Sequence, residues 1–388
     1  MLTRKPKVVF TFVEAGFGHI MPIQAISDAF TKKYGDKCEI VNWNIFSDTK
    51  DETVLKYGRE LSGWTKHSCN NKMFHFGEMI SNAIGSKLTL KILDFKFRKA
   101  KKIVMDDIVK TAPDLICSTY YSPSHFALEC KKTKLLDTIV ATYTPDPWIY
   151  SAWDRSSDLF FVTSDHTYQY ALKHGFKKEQ LRVVPFAYRT NIESVTRDKK
   201  EARKALGLDE NKFTILLPNG AYGTNKTKKV IDALLRQNFD ANVVVLCGKN
   251  QQIYDFCRSI VLPEDSKTKF YAIDFTNDVF LYNSASDLYI GKGGSNSLME
   301  SYYFGVPTII ISHANYLEVM SSNYLINKKG CGKQIFDTNK LVQFIKDYIS
   351  DPDLKNSFKS SLESFHDASG AEKIADELYY TLKGKFNI

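Results

Sequence analysis

The stretch from Tyr289 to Ser312, YIGKGGSNSLMESYYFGVPTIIIS, decides how the chain is read. It parses as strand, glycine-rich turn, short helix, stop and strand. Asp287 to Ile290 is a short apolar run that meets a glycine, as a buried parallel strand does. Gly291, Gly293 and Gly294 remove side chains from the turn, so backbone N–H groups can approach a ligand. Ser295 stands where a helix cap is expected. Gly305 and Pro307 stop the helix, and Thr308 to Ile311 is the next strand. A glycine turn opening a helix suits an anion, because the first amides are unpaired and the dipole is positive there. Glu300 lies about a turn into the helix, too deep to cap it, where a carboxylate can accept two hydrogen bonds from a diol. The bland alternative is an ordinary strand–helix turn with a surface Glu, and the motif alone does not separate the two.

The same alternation extends on both sides. Upstream lie a strand at Phe213 to Leu217, a glycine turn, a helix at Lys226 to Arg236, and strands at Asn242 to Leu246 and Lys269 to Ala272. The N-terminal half repeats the pattern, with strands at Lys7 to Val13, Cys38 to Trp43, Asp114 to Ser118, Thr138 to Ala141 and Asp158 to Val162. Near-continuous apolar strands alternating with helices predict doubly wound parallel sheets. Residues 48–98 fit the alternation poorly and read as an insertion, and Ala187 to Lys200 reads as a polar linker. The expected organisation is an N-terminal domain over residues 1–190, joined by a returning helix within 368–388, and a second domain over 191–367. Two such sheets in tandem are expected to face a central cleft, since ligands bind at strand C-terminal ends.

Composition narrows the class. A chain of 388 residues is long enough for two cores, and a net charge of +9 suits an anionic partner. No arginine-rich arm or RNA-binding aromatic pattern is present, so nucleic acid is not an expected partner. The seven cysteines are scattered without a CxxC pair, which argues for a reducing cytosol and against zinc. The first residues lack a signal-peptide pattern. No apolar run reaches the roughly 20 residues of a membrane span. Any membrane contact is therefore expected to be peripheral. Lys87 to Lys102 mixes apolar residues with many cations, as an interfacial segment does, although a core-facing helix with a basic outer face would read the same.

Four turns at strand ends carry candidate chemistry. Glu14-Ala-Gly-Phe-Gly18-His19 offers two bases, His19 and Glu14, and Gly18 opens space beside them. Asp146, flanked by Pro145 and Pro147, is an aimed carboxylate or simply a turn. Asn219-Gly220 begins a plausible phosphate cradle that lacks P-loop spacing. Lys249, in Cys247-Gly-Lys-Asn250, is placed to meet a phosphate or only solvent. Glu318 follows the quoted stretch by a short loop, where it would cap a helix or reach a ligand.

Taken together, VVFTFVEAGFGH, LLPNGAYG, VVVLCGKN and KGGSNSLMESYYFGVPTII resemble, in order, the motifs of glycosyltransferase family 28, with its GT-B architecture. The likeness is to the bacterial diacylglycerol glucosyltransferases and the plant monogalactosyldiacylglycerol synthases, over nearly the whole chain. The resemblance implies an inverting hexose transfer from a UDP-sugar substrate, with no cofactor, to a lipid hydroxyl at the inner face of the cell membrane; no DxD-type pair lies near the donor motif, so no tightly bound metal is expected. It implies that Glu300 holds the ribose, that Gly293, Gly294, Ser295 and Asn296 hold the diphosphate, and that the Phe275 backbone meets uracil. Glu318 would contact the hexose, with Asn323 at the spacing of the family's Asn, and His19, Glu14 and Asp146 would face the acceptor. It also raises the membrane reading of residues 80–102. Leu317 departs from the Gln the family carries there, which leaves the hexose open. Other acceptors, an undecaprenyl-linked precursor or a small molecule, and a non-catalytic nucleotide-sugar-binding protein are the alternatives.

Overall fold

The computed structural model describes residues 4–13, 17–68, 72–189, 191–219, 226–365 and 369–386. The chain forms two compact units, residues 1–190 with 368–388, and residues 191–367. In the first unit run β1 (Lys7–Phe12), α1 (Phe17–Tyr34), β2 (Glu39–Asn44), α2 (Glu52–Ser68), α3 (Lys72–Ile84), α4 (Ser86–Lys96) and α5 (Arg98–Thr111). They are followed by β3 (Leu115–Ser118), α6 (Tyr121–Lys132), β4 (Ile139–Tyr143), β5 (Leu159–Val162), α7 (Asp165–Lys173) and β6 (Leu181–Val183). All pairings are parallel, and the strand order is β2-β1-β3-β4-β5-β6.

Alternation along the strands explains why the sheet is covered on both faces. Val8, Phe10, Leu115, Cys117, Ile139, Ala141 and Tyr143 point to one core with Ile23, Ile26 and Phe30 of α1. Val9, Ile116 and Val140 point to the other, with Val104 and Ile108 of α5 and Phe126 of α6. Successive side chains of a strand face opposite ways, so an unbroken apolar strand must be sandwiched. The segment read as an insertion contributes the helices α2, α3 and α4. Seven of the exposed large apolar side chains fall between Phe76 and Phe95, including Phe76 and Ile80 of α3 and Leu88, Ile92 and Phe95 of α4. Lys87, Lys91, Lys96, Arg98 and Lys99 beside them are exposed too. The other face of α4 turns inward through Leu90.

The second unit holds α8 (Lys199–Ala205), β7 (Phe213–Pro218), α9 (Thr227–Arg236), β8 (Ala241–Leu246), α10 (Gln251–Arg258), β9 (Lys269–Ile273) and α11 (Val279–Ser284). It continues with β10 (Leu288–Lys292), α12 (Ser295–Tyr303), β11 (Thr308–Ser312), α13 (Tyr316–Ser322), β12 (Gly332–Gln334), α14 (Thr338–Ser350) and α15 (Pro352–Leu362). Its sheet is also parallel, in the order β12-β11-β10-β7-β8-β9. The fold is therefore α/β, two doubly wound Rossmann-like units. Residues 187–200 are not a free linker: Ala187, Tyr188 and Ile192 are buried, and α8 has begun by Lys199. The final helix, α16 (Ala371–Phe386), packs on α1 of the first unit, with Tyr34 and Tyr379 stacked at 3.9 Å and Asp376 bonded to Lys33. Gly370 admits this return, since a Cβ there would lie 1.9 Å from the carbonyl oxygen of Pro185.

Candidate active site

Two strand-to-helix turns carry the candidate chemistry, one in each unit. In the first, the opening turn of α1 holds Gly18 and His19. Pro22 has no N–H to give the carbonyl of Gly18, so the usual helical bond is missing there. A Cβ on Gly18 would meet no heavy atom within 4 Å, so packing does not demand glycine at this position.

His19 is half-buried. Its Nδ1 lies 2.8 Å from the carbonyl oxygen of Thr119, and the Thr119 hydroxyl donates to the His19 carbonyl at 2.6 Å. The Tyr120 ring meets the imidazole edge-on, with centroids 5.0 Å apart. Burial lowers the His19 pKa below the ordinary histidine value, and the charge of Asp146 and the Thr119 bond pull the other way without reversing it. The lowered pKa favours the neutral ring, the form a general base needs. Asp146, held in the Pro-Asp-Pro turn after β4, thus acts on His19 electrostatically. Glu14, the rival base, lies outside the described residues.

The turn in the second unit differs from its sequence reading in two details. Strand β10 continues through Gly291 to Lys292, with a shift of register between them. Gly294, not Ser295, occupies the N-cap of α12, without a side-chain cap, and Ser295 is the first helical residue. At Gly291 and Gly293 a side chain would crowd its neighbours. A Cβ on Gly291 would lie 2.8 Å from the Tyr289 ring, and one on Gly293 would lie 2.3 Å from Ser322 Oγ. Asn296 is half-buried, and Glu300 is buried at 9% exposure.

The loop beyond β11 folds back onto this turn. Asn315 caps α13 by accepting from the Glu318 N–H at 2.9 Å, and Glu318 Oε2 accepts from the Ala314 N–H at 2.6 Å. The Oε2 atom is thus engaged at the start of α13, while Oε1 lies 3.5 Å from where a Gly294 Cβ would be. Asn323 ends α13. Its Oδ1 accepts from Gln334 at 3.0 Å and from Asn327 at 3.3 Å. The residue set against Gly293 is Ser322. The helix widens to a π-helix over Asn323–Lys328, which moves the faces off α-helical spacing.

The remaining second-unit candidates gather at the ends of β7, β8 and β9. Asn219 is buried and accepts from the Thr227 hydroxyl at 3.0 Å, tying β7 to α9. Gly220 lies outside the described residues. Gly248 has φ of +60°, which glycine adopts readily. It presents an exposed Lys249 whose Nζ stands 5.4 Å from the Phe275 ring centroid. Phe275 is half exposed, but its amide N–H already donates to Asp274 Oδ1 at 2.7 Å. An acidic residue just before an exposed amide can turn back onto it in this way.

Sequence reading missed one site in the first unit. His125 on α6 is buried, with Nδ1 2.8 Å from Asp154 and Nε2 3.1 Å from Asp94 of α4. Burial alone would lower its pKa; the bonds to the two carboxylates outweigh that and raise it to about 9. Lys101 adds a 2.7 Å ion pair to Asp94. The three partners lie about 30 positions apart on separate elements, so no local pattern announces them. Among the described residues, no group of three His, Cys, Asp or Glu is placed to hold a metal ion, and no helix is long and apolar enough to cross a membrane.

Comparison with known proteins supports the family resemblance. Residues 220–378 match the glycosyltransferase family 28 C-terminal domain. The chain is 24% identical over 361 residues to monogalactosyldiacylglycerol synthase 1 of Arabidopsis thaliana, covering 89% of this chain and 65% of the relative. It is 24% identical over 341 residues to the processive diacylglycerol beta-glucosyltransferase of Staphylococcus aureus, covering 87% of this chain and 83% of the relative. The chain thus spans about two thirds of the length of the plant relative. Among solved structures, Acinetobacter baumannii MurG superposes with a TM-score of 0.62 at 12% identity, covering 97% of this chain and 99% of that one. Anabaena HepE in complex with UDP and glucose gives 0.55 at 13% identity, covering 98% and 100%. The architecture is GT-B.

Proposed function

We propose that the protein is an inverting glycosyltransferase that moves a hexose from a UDP-sugar to a membrane lipid hydroxyl, with diacylglycerol as the acceptor. The observation that carries this reading is the α12 turn, a helix start stripped to glycine with a buried carboxylate behind it, in a chain similar to two kinds of glycolipid synthase. In this reading His19 takes the proton of the acceptor hydroxyl as its oxygen attacks the anomeric carbon. The bond to UDP breaks on the opposite face. UDP leaves with the bonding pair, and its growing charge is stabilised at the start of α12, by Gly293, Gly294, Ser295 and Asn296. Lys249 adds a positive charge, Glu300 holds the ribose and Glu318 Oε1 meets the hexose. Gly18 and Asn219 shape the donor's surroundings. The Phe275 main chain meets uracil, and its exposed ring lies beside the nucleobase.

The acceptor class is supported by the face of α3 and α4. An apolar side chain there contributes about 1 kcal/mol when it leaves water for an interface, and each neighbouring cation about as much at an anionic surface. This reading places the protein peripherally on an anionic cytoplasmic membrane surface. The test is purified protein with diacylglycerol vesicles and either UDP-glucose or UDP-galactose, followed by mass spectrometry of the lipids. A glycolipid with stoichiometric UDP supports it. UDP binding with no product from either donor sinks it in favour of a non-catalytic binder.

A further inference from the structure

We propose that Thr119 is the positioning residue of His19, setting its tautomer and orientation so that Nε2 is the ring nitrogen that receives the acceptor proton. The inference deepens the reading above and rests on His19 being the base. β3 lies beside β1 in the parallel sheet, with Ser118 opposite Thr11, so the residue after β3 arrives beside the turn that follows β1. That residue is Thr119, which is fully buried.

Thr119 holds His19 twice. Its carbonyl oxygen is 2.8 Å from Nδ1. A carbonyl can only accept, so Nδ1 must carry the hydrogen, and the neutral ring keeps its lone pair on Nε2. Its hydroxyl donates to the His19 main chain at 2.6 Å, which fixes the backbone from which the ring projects. Tyr120 adds an edge-on wall. It is seated by Ser118, whose hydroxyl donates to the Tyr120 carbonyl at 2.9 Å and accepts from the Tyr120 N–H at 3.0 Å. Ring, main chain and ring face are thus all set by residues 118–120. Among the described residues, two ionisable groups act at this ring, the Asp146 carboxylate and the Tyr120 phenol, and burial keeps the phenol neutral.

The test uses the full chain, with histidine ¹⁵N-labelled and the His19 resonances assigned by loss in His19→Gln. The expected wild-type signature is protonated Nδ1 and unprotonated Nε2; the opposite tautomer overturns the proposal without any variant of Thr119. Thr119→Val keeps the shape and removes the hydroxyl. It is expected to lower kcat about tenfold with donor KM unchanged, because a small misplacement of a reacting group costs that much or more. It should also broaden or mix the His19 ring signals, and Thr119→Ser should restore both. Unchanged kcat and ring signals in Thr119→Val refute the positioning role. If His19→Gln keeps its activity, it is the base assignment that falls, and the tautomer measurement still decides what Thr119 does to the ring.

Discussion

Two histidines of the first unit show how partners decide what the same side chain does. His19 has one ring nitrogen against a carbonyl oxygen, and burial holds it below the ordinary histidine pKa. His125 has both nitrogens against carboxylates and is raised to about 9. The first is a neutral ring with a lone pair, suited to accept a proton. The second is a cation with both N–H groups spent, suited to hold α4 and α6 to the turn around Asp154. A buried imidazole is therefore not a functional sign by itself; the chemistry of its acceptors is.

The largest effect expected from breaking this contrast is on catalysis. His19→Gln should lower kcat by about 10³, the range of general-base loss, whereas His125→Gln should leave kcat within twofold. Equal losses from both would erase the distinction, and steady-state kinetics on the two variants reads it directly. Stability should show the reverse. His125 contributes on the order of 3 kcal/mol through its raised pKa, so His125→Gln should lower the urea midpoint clearly at pH 6. The sign follows from a folded pKa above the unfolded one. The contribution is complete below about 6.5 and is lost as pH rises through about 9. Urea titrations at pH 6 and pH 9.5 should therefore converge for wild type and variant at the alkaline end.

Glu300→Ala tests the other unit and should spare both histidines. Donor KM is expected to rise about 30-fold, close to 2 kcal/mol for a charge-assisted hydrogen-bonding group, with the urea midpoint nearly unchanged. An unchanged donor KM would remove Glu300 from the site. The smallest effect is the wild-type pH profile. Because the His19 pKa is lowered, kcat/KM should stay level through neutral pH and fall only below the ordinary histidine value. A fall that begins above pH 7 would mean that some other group titrates as the base.

Much of the fold was legible because buried parallel strands are apolar throughout. Strands such as Val8 to Phe10 and Val243 to Val245 carry that signal in consecutive residues. The glycine turn was legible because three glycines stand together ahead of a helix; their neighbours Tyr289 and Ser322 were not. Details of register were not. Ser295 for Gly294 as the cap is a one-residue error, made just after a strand whose register shifts. A helix start was visible, but the backbone hydrogen bonds that fix its first residue were not.

The sequence by itself determined the alternation, the presence of two sheets, the four candidate turns and the basic apolar character of residues 87–102, since each depends on neighbours in the chain. Tertiary structure alone decided which histidine is neutral and which is charged. Thr119 reaches His19 from 100 positions away, and Asp94 and Asp154 reach His125 from 31 and 29. A proton's free energy depends on the charges and dipoles within a few ångströms, and the fold, rather than the local sequence, chooses which those are.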